Sequence, residues 1–249
     1  MKLASLALAL ALVAACRASA DDYPIGPGGN GGGGGRGVDA GLGDASDAGD
    51  GDAGVQISGR VCVITDLQRP TVCNGGDVTL VTVSIGTTRT ATPDTRGDFT
   101  INAPLGPFLW RVSGTNINTS IVPVGGDNTL PVIDAQLYVE MLESNSVTRP
   151  AEGASSTVVR VVRGTAAVAS VTATSVPATE GVPLYDNNDA FIWRGDNLGT
   201  GANGVVWLPD LRLGTTPSVT VTLTPPQGAV VSTTAALEDQ AITFLTVEL

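Results

Sequence analysis

From Val55 onward the sequence consists of short runs of Val, Ile, Thr and Leu, interrupted by Gly, Pro, Asn and Asp. Such runs favour strands, and turn residues spaced roughly every 8–12 residues are typical of β-sandwiches. No helical period of apolar residues is evident in this region, so we predict an all-β fold. The predicted strands are Val55–Ile64, Val78–Ile85, Phe99–Ile101, Leu109–Ser113, Gln136–Met141, Thr157–Val162, Val168–Thr174, Ala190–Trp193, Val205–Leu208, Val219–Leu223 and Ile242–Glu248.

An internal repeat divides this region. Thr95–Ile101 and Ala202–Leu208 each place a Gly-containing turn before a strand that carries an aromatic residue. Leu137–Glu140 and Phe244–Glu248 follow at corresponding distances. We therefore predict two tandem sandwiches of about 100 residues, a common domain size. They cover residues 55–147 and 148–249.

The first predicted sandwich carries a more specific pattern. Val55-Gln-Ile-Ser-Gly-Arg-Val61 opens it, Asp77-Val-Thr-Leu-Val81 follows, and Asp94-Thr-Arg-Gly-Asp-Phe-Thr-Ile101 closes the pattern. Residues 55–142 thereby resemble the carboxypeptidase regulatory-like domain, a transthyretin-like sandwich. The resemblance implies an accessory module without peptidase chemistry. The second sandwich matches less closely, and an immunoglobulin-like sandwich is the alternative there.

The N-terminus predicts export and lipid attachment. Met1-Lys2 precedes the apolar run Leu3–Ala15, which is typical of a signal peptide and too short to span a membrane. Val13-Ala-Ala-Cys16 is similar to a lipobox, so we expect removal of residues 1–15 and lipid on Cys16. An ordinary secreted protein with a chance cysteine is the alternative. Arg17, in place of an aspartate after the cysteine, favours the outer membrane.

Residues 16–54 read as a disordered tether between the lipid and the folded part. The segment is rich in Gly and Asp, with glycines in a row from Gly31 to Gly35, and has few apolar side chains to offset the entropy of ordering. Asp44–Asp52 invites a calcium interpretation, but its spacing does not follow an EF-hand loop. We interpret it as a solvated acidic spacer.

Cysteine usage agrees with an exported protein. Lipid on Cys16 leaves Cys62 and Cys73, which we expect to form a disulfide in an oxidising compartment. Two free thiols or a two-ligand metal site are the alternatives. The absence of histidine from the sequence makes metal the poorer of these.

The residues that are missing exclude several classes of protein. The sequence has no histidine, and Lys2 is its only lysine, so Ser-His-Asp and Cys-His catalysis and lysine-dependent phosphate loops are excluded. A net charge of −11 disfavours nucleic acid. We expect no catalytic residues, metal or cofactor, and no nucleic-acid partner.

Aromatic residues in the second half suggest a carbohydrate site. Trp193, Trp207 and Tyr185 could together present flat faces on which sugar rings stack. Core packing of scarce aromatic residues in a sandwich is the alternative, and we favour it.

Three polar motifs are weaker. Asp186-Asn-Asn-Asp189 is a calcium candidate that we interpret as a solvated turn, and Arg194-Gly-Asp196 spells the integrin tripeptide, which we interpret as chance. Glu140 and Glu143 lie at a predicted strand end. Glycoside hydrolysis needs two carboxyl groups opposed at about 5–10 Å, so we do not predict catalysis there.

The sequence therefore predicts a non-catalytic, lipid-anchored protein of the cell envelope whose β-sandwiches mediate surface adhesion or assembly. The partners expected are the membrane, through the N-terminal lipid, and an envelope protein or polysaccharide. The alternative is a carbohydrate-binding surface lipoprotein. A hydrolase that uses only carboxylates is a third hypothesis.

Overall fold

The computed structural model describes residues 54–125, 128–148, 152–215 and 217–249. The described residues cluster as one compact unit. The signal peptide, the lipidation site Cys16 and the tether lie outside the described residues and stay predictions. So does the acidic stretch Asp44–Asp52.

The described residues form sixteen strands and one helix, in an all-β fold that confirms the predicted class. Three of the predicted strands, those from Val78, Val168 and Ala190, begin later than expected. In chain order the elements are β1 (Val55–Ile64), β2 (Val81–Ile85), β3 (Arg89–Ala91), β4 (Asp98–Ala103), β5 (Leu109–Gly114), β6 (Ser120–Pro123), β7 (Thr129–Ile133), α1 (Ala135–Ser144), β8 (Ala154–Arg163), β9 (Ala166–Ala167), β10 (Thr172–Val176), β11 (Leu184–Asp189), β12 (Ile192–Arg194), β13 (Val205–Arg212), β14 (Ser218–Thr224), β15 (Val231–Ala236) and β16 (Ile242–Glu248).

The first sandwich packs the sheet β4-β1-β7 against strands β6-β5-β2-β3. The strands alternate, as β4 does with Phe99, Ile101 and Ala103 buried and the residues between them exposed. At the centre lies Trp110, which is fully buried and contacts the ring of Phe99 edge-on at 5.5 Å. This alternation is expected for a sheet that packs on the core with one face and contacts solvent with the other.

The second sandwich packs the sheet β10-β14-β15 against β12-β11-β13-β8-β16. Its sheets repeat the pairing of the first. β1 pairs antiparallel with β4 and parallel with β7, and β8 pairs antiparallel with β13 and parallel with β16. The two halves therefore share a topology as well as a fold class.

The repeated glycine turn is part of this shared pairing. Gly97 and Gly204 have φ of +89° and +67°, in the left-handed region that favours glycine. The carbonyl oxygen of each accepts a hydrogen bond from the neighbouring strand, at Val61 (2.8 Å) and Val161 (2.7 Å) respectively. A Cβ at either glycine would overlap the carbonyl oxygen of the same valine.

The two sandwiches are joined through a common sheet. β16 pairs in parallel with β6, so strands of both halves form one ten-stranded sheet. Strands β8, β13 and β16 are covered on both faces, by β10-β14-β15 on one side and by α1 on the other. This double coverage explains why their sequences are almost continuously apolar.

Helix α1 contradicts the sequence prediction. Gln136–Met141 is not a strand but part of the α-helix Ala135–Ser144, so the prediction of a region without helical periodicity is wrong here. The Asp134 side chain accepts hydrogen bonds from the backbone N–H groups of Gln136 and Leu137, as an N-cap does. The pairing of Leu137–Glu140 with Phe244–Glu248 as repeats is therefore also wrong, because one segment is helical and the other is β16.

The predicted disulfide is confirmed. Cys62 lies in β1 and is bonded to Cys73 in the following loop, with Cα atoms 5.0 Å apart. Asn74, next along the chain, donates its backbone N–H to the carbonyl oxygen of Val63 at 2.9 Å. The loop is thereby held against β1 at its far end.

Candidate interaction surface

The three candidate sugar-stacking residues are buried. Trp193, Trp207 and Tyr185 are 6%, 0% and 3% exposed. The two indole rings pack on each other at 5.3 Å, and Tyr138 of α1 lies 5.9 Å from Trp207. The Tyr185 hydroxyl accepts a hydrogen bond from the N–H of Ala173, and burial raises the pKa of Tyr185. These rings form core, so they offer no sugar platform, and that hypothesis is corrected.

Asp186 organises a loop and leaves no carboxylate oxygen for calcium. Its side chain is buried and accepts hydrogen bonds from the N–H groups of Gly201 (2.6 Å), Asn203 (2.7 Å) and Val205 (2.9 Å). Asp189 accepts from the N–H of Phe191. Within the described residues no group of three or more His, Cys, Asp or Glu side chains could hold a metal ion.

Neither of the other two polar motifs forms a site. Arg194 donates to the backbone carbonyl oxygens of Asp186 and Gly199, and lies 3.7 Å from the carboxylate of Asp196. Glu140 and Glu143 lie three residues apart on exposed positions of α1 rather than at a strand end. They do not face each other across a cleft.

A cluster of charged groups that the sequence analysis missed lies at a bulge in β13. Asp210 is buried, has a φ of +53°, and is close to Glu180 and Arg212. Burial raises the pKa of Asp210, and its hydrogen bond with Glu180 acts in the same direction. The hydrogen bond from Arg212 lowers the pKa of Glu180.

The outer face of sheet β10-β14-β15 is covered with hydroxyl groups. Alternate residues of each strand point outward, and the inward ones, such as Val219, Val221 and Leu223, are fully buried. Hydroxyls of neighbouring strands meet, with Thr220 to Thr234 at 3.0 Å and Thr222 to Ser232 at 2.9 Å. We name this surface the hydroxyl face; its residues are Thr172, Thr174, Ser218, Thr220, Thr222, Thr224, Ser232 and Thr234.

The hydroxyl face is bounded by an open strand edge at β15 and by a partly covered edge at β10, where the N–H of Ala173 donates to the Tyr185 hydroxyl. In the part of the chain that the structure describes, β10 and β15 each pair only with β14, on their inner side. None of these three strands contains a charged residue or a proline. Natural edge strands are usually protected by charges, prolines or bulges, because an open edge can pair with another chain.

A sequence signal for the hydroxyl face was present. The alternation Thr172-Ala-Thr174 and Thr220-Val-Thr222-Leu-Thr224 places threonine and apolar residues on opposite faces of a strand. Period-2 alternation predicts the individual strands but not which outward residues of different strands lie side by side. The register that aligns them is a property of the folded sheet.

No family model and no curated protein matches the chain. Among solved structures it is similar to GBS52, a minor pilin of Streptococcus agalactiae, at 12% identity over 78% of this chain and 94% of that one, with a TM-score of 0.26. A type II cohesin–X-dockerin complex from Acetivibrio cellulolyticus matches at 29% identity over 31% of this chain, with a TM-score of 0.21. The match spans about half (52%) of that complex's chain. Scores this low carry no inference about function.

Within the described residues no helix is long and apolar enough to cross a membrane.

Proposed function

We propose that this protein is a non-catalytic, lipid-anchored protein of the cell envelope, and that its second sandwich contacts another envelope protein through the hydroxyl face and its open edge at β15. The observation that carries the proposal is this uncharged surface, since the sequence has a net charge of −11. An extended segment of a partner that pairs with β15 would gain main-chain hydrogen bonds. The first sandwich resembles the carboxypeptidase regulatory-like domain, which implies an accessory module, and this agrees with the proposal.

The contacts that join the two sandwiches support a role in which the hydroxyl face is held in a fixed orientation. The buried side chain of Gln68, just after β1, bonds to the β11–β12 hairpin of the second half. Asn145, after α1, donates to the carbonyl oxygen of Phe191 and accepts from the N–H of Trp193. Interfaces that combine a hydrophobic cluster with satisfied polar groups resist relative movement.

The contact surface is tested with two matched substitutions in full-length protein that carries a C-terminal tag. Thr222→Arg places a charge at the centre of the hydroxyl face, and Thr82→Arg places one on an exposed position of β2. Protein captured in mild detergent from cells of the native host is identified by mass spectrometry. We expect one partner to be captured by wild type and Thr82→Arg and to be lost with Thr222→Arg; equal capture by all three would refute the surface. Polysaccharide captured in place of protein would refute the partner class.

The anchor is tested separately. Cys16→Ser is expected to move the protein from the detergent phase to the aqueous phase, because two or more acyl chains give stable anchoring. Unchanged partitioning would refute lipid attachment at Cys16. It would leave the test of the hydroxyl face intact.

A further inference from the structure

Two stretches of the sequence that build the sheet β10-β14-β15 carry no charge. Residues 164–179 include β10, residues 213–237 include β14 and β15, and neither stretch contains Asp, Glu, Lys or Arg. The sequence as a whole has a net charge of −11, so two copies of the chain repel each other. That repulsion is reduced where the surfaces that meet are uncharged. The sheet is therefore a surface through which two copies can approach.

The open edge of β15 offers main-chain groups at alternate positions. The N–H of Leu237 donates to the carbonyl oxygen of Pro217 at 2.8 Å, so Leu237 bonds towards β14. Bonded and non-bonded positions alternate along an antiparallel pair, so Ser232 and Thr234 turn their N–H and carbonyl groups away from β14. The hydroxyls of these two residues contact hydroxyls of β14 at 2.9 and 3.0 Å, as expected where the side chains of a non-bonded pair approach most closely.

The accessible part of this edge is short. The carbonyl oxygen of Ala236 accepts a hydrogen bond from the hydroxyl of Thr243 in β16, at 2.9 Å, so β16 covers the edge there. At the other end, Val230 is 57% exposed and follows a loop without charge. Within the described residues the edge is therefore open from Val230 to Thr234.

A short edge of this kind is complementary to itself. If a two-fold axis passes through Thr233 of two antiparallel copies, Ser232 of each faces Thr234 of the other. Each facing pair can then exchange two main-chain hydrogen bonds, because both residues present an N–H and a carbonyl group. Most homodimers use a two-fold contact in which the same surface serves both partners. No charged residue or proline of β15 interrupts such pairing.

We propose that a second copy of this chain pairs with the open edge at β15, so that the sheets β10-β14-β15 of the two copies join as one sheet of six strands. Both hydroxyl faces then lie on the same side and form one continuous uncharged surface. The inference rests on the proposed function and deepens it, because it names the occupant of the edge and leaves the doubled hydroxyl face for the envelope partner. A lipid anchor on each copy would favour the pairing, since copies held on one membrane meet at a higher effective concentration.

The experiment traps the facing pair as a disulfide between two full-length variants that carry different tags. In the proposed register, Ser232 and Thr234 of opposite copies have Cα atoms about 5.5 Å apart, within the range of about 4.4–6.8 Å that a disulfide spans. Like residues lie on a diagonal, about 7–8 Å apart. Ser232→Cys and Thr234→Cys are mixed at high protein concentration in mild detergent, oxidised with copper–phenanthroline and separated on a non-reducing gel.

The control mixture combines Thr220→Cys with Thr222→Cys, which lie on the same hydroxyl face but in β14, one strand away from the edge. Wild type is oxidised in parallel; its Cys62 and Cys73 are bonded to each other, so any cross-link there reports on Cys16. Thermal unfolding of each variant, compared with wild type, shows that it is folded.

We expect the mixture of Ser232→Cys and Thr234→Cys to form a dimer that contains both tags, several-fold faster than either variant alone and than the β14 mixture. No dimer above the wild-type level, or equal rates from the β14 mixture, would overturn the proposal. Faster cross-linking of either variant with itself would overturn the register. The mixture contains no other envelope protein, so failure to capture an envelope partner, which would count against the proposed function, leaves this result unaffected.

Discussion

Replacement of Gln68 by alanine measures how firmly the two sandwiches are joined. Gln68 is 1% exposed; its amide nitrogen donates to the carbonyl oxygens of Asp189 (2.6 Å) and Ile192 (3.1 Å), and its oxygen accepts from the N–H of Asn187 (2.8 Å). Each bond of this kind contributes about 1 kcal/mol. Gln68→Ala should therefore lower the free energy of unfolding by about 3 kcal/mol. For a folded unit of this size the Tm should fall by about 9 °C.

Urea denaturation followed by circular dichroism gives the free energy, and calorimetry gives the Tm. Gln136→Ala is the control, because Gln136 is exposed on α1 and bonds only weakly to Glu140, at 3.3 Å; its effect should stay within about 0.5 kcal/mol. Gln68→Glu keeps the shape but sets a carboxylate against two carbonyl oxygens, so it should destabilise at least as much as alanine. If Gln68→Ala changes stability no more than Gln136→Ala, the hydrogen bonds do not hold the joint.

Three further predictions concern the turns, the buried charge and the disulfide. Gly97→Ala should lower the free energy of unfolding by about 2 kcal/mol, because it adds a clash with the Val61 carbonyl to the strain of positive φ. Gly86→Ala has positive φ but open space around it and should lower it by about 1 kcal/mol. Equal losses in urea denaturation would show that the clash does not contribute. Because the pKa of Asp210 is raised by folding, wild-type stability from this group falls as pH rises from its ordinary value of 3.8 through the raised pKa. Asp210→Asn, which tolerates the same backbone, should therefore stabilise the protein at pH 7 and lose that advantage towards pH 4; a gain of the same size at both pH values would contradict the assignment. Reduction of the disulfide frees a loop whose closure is worth about 3 kcal/mol, so the denaturation midpoint should fall accordingly; an unchanged midpoint would show that the loop is held by its other contacts.

The sequence predicted the strands well because their signals are local. β1 was predicted with the bounds it has, and the glycine turns at Gly97 and Gly204 occupy equivalent places in the two halves. In both cases the backbone requirement is written in a few adjacent residues. The disulfide followed from composition and compartment in the same way.

The local sequence does not predict the structure of a segment whose neighbouring elements determine it. Tyr138 and Val139 favour strands, but they lie among helix formers and follow Asp134, a residue suited to an N-cap. Tyr138, Met141 and Leu142 make a helical stripe, which contacts a sheet that the chain completes about a hundred residues later. The helix could therefore not be predicted from the local pattern. Core packing of Trp207, which the scarcity of aromatic residues favours, is realised partly through its contact with Tyr138 of that helix.

The joint ties the hydroxyl face to the first sandwich. The hydroxyl face is the outer side of a sheet whose inner side packs on β8, β13 and β16, and those strands are fixed to the first sandwich through β6, α1 and Gln68. While the joint is intact, the hydroxyl face keeps a fixed orientation relative to the first sandwich, to which the proposed lipid anchor is connected, so a partner on the same membrane meets it over fewer orientations. Gln68→Ala should then weaken capture of a membrane-bound partner although it leaves the hydroxyl face untouched, and capture of the same partner in detergent should be affected less. An equal loss in both settings would mean that the substitution acts through stability, and that orientation above the membrane has no part in the contact.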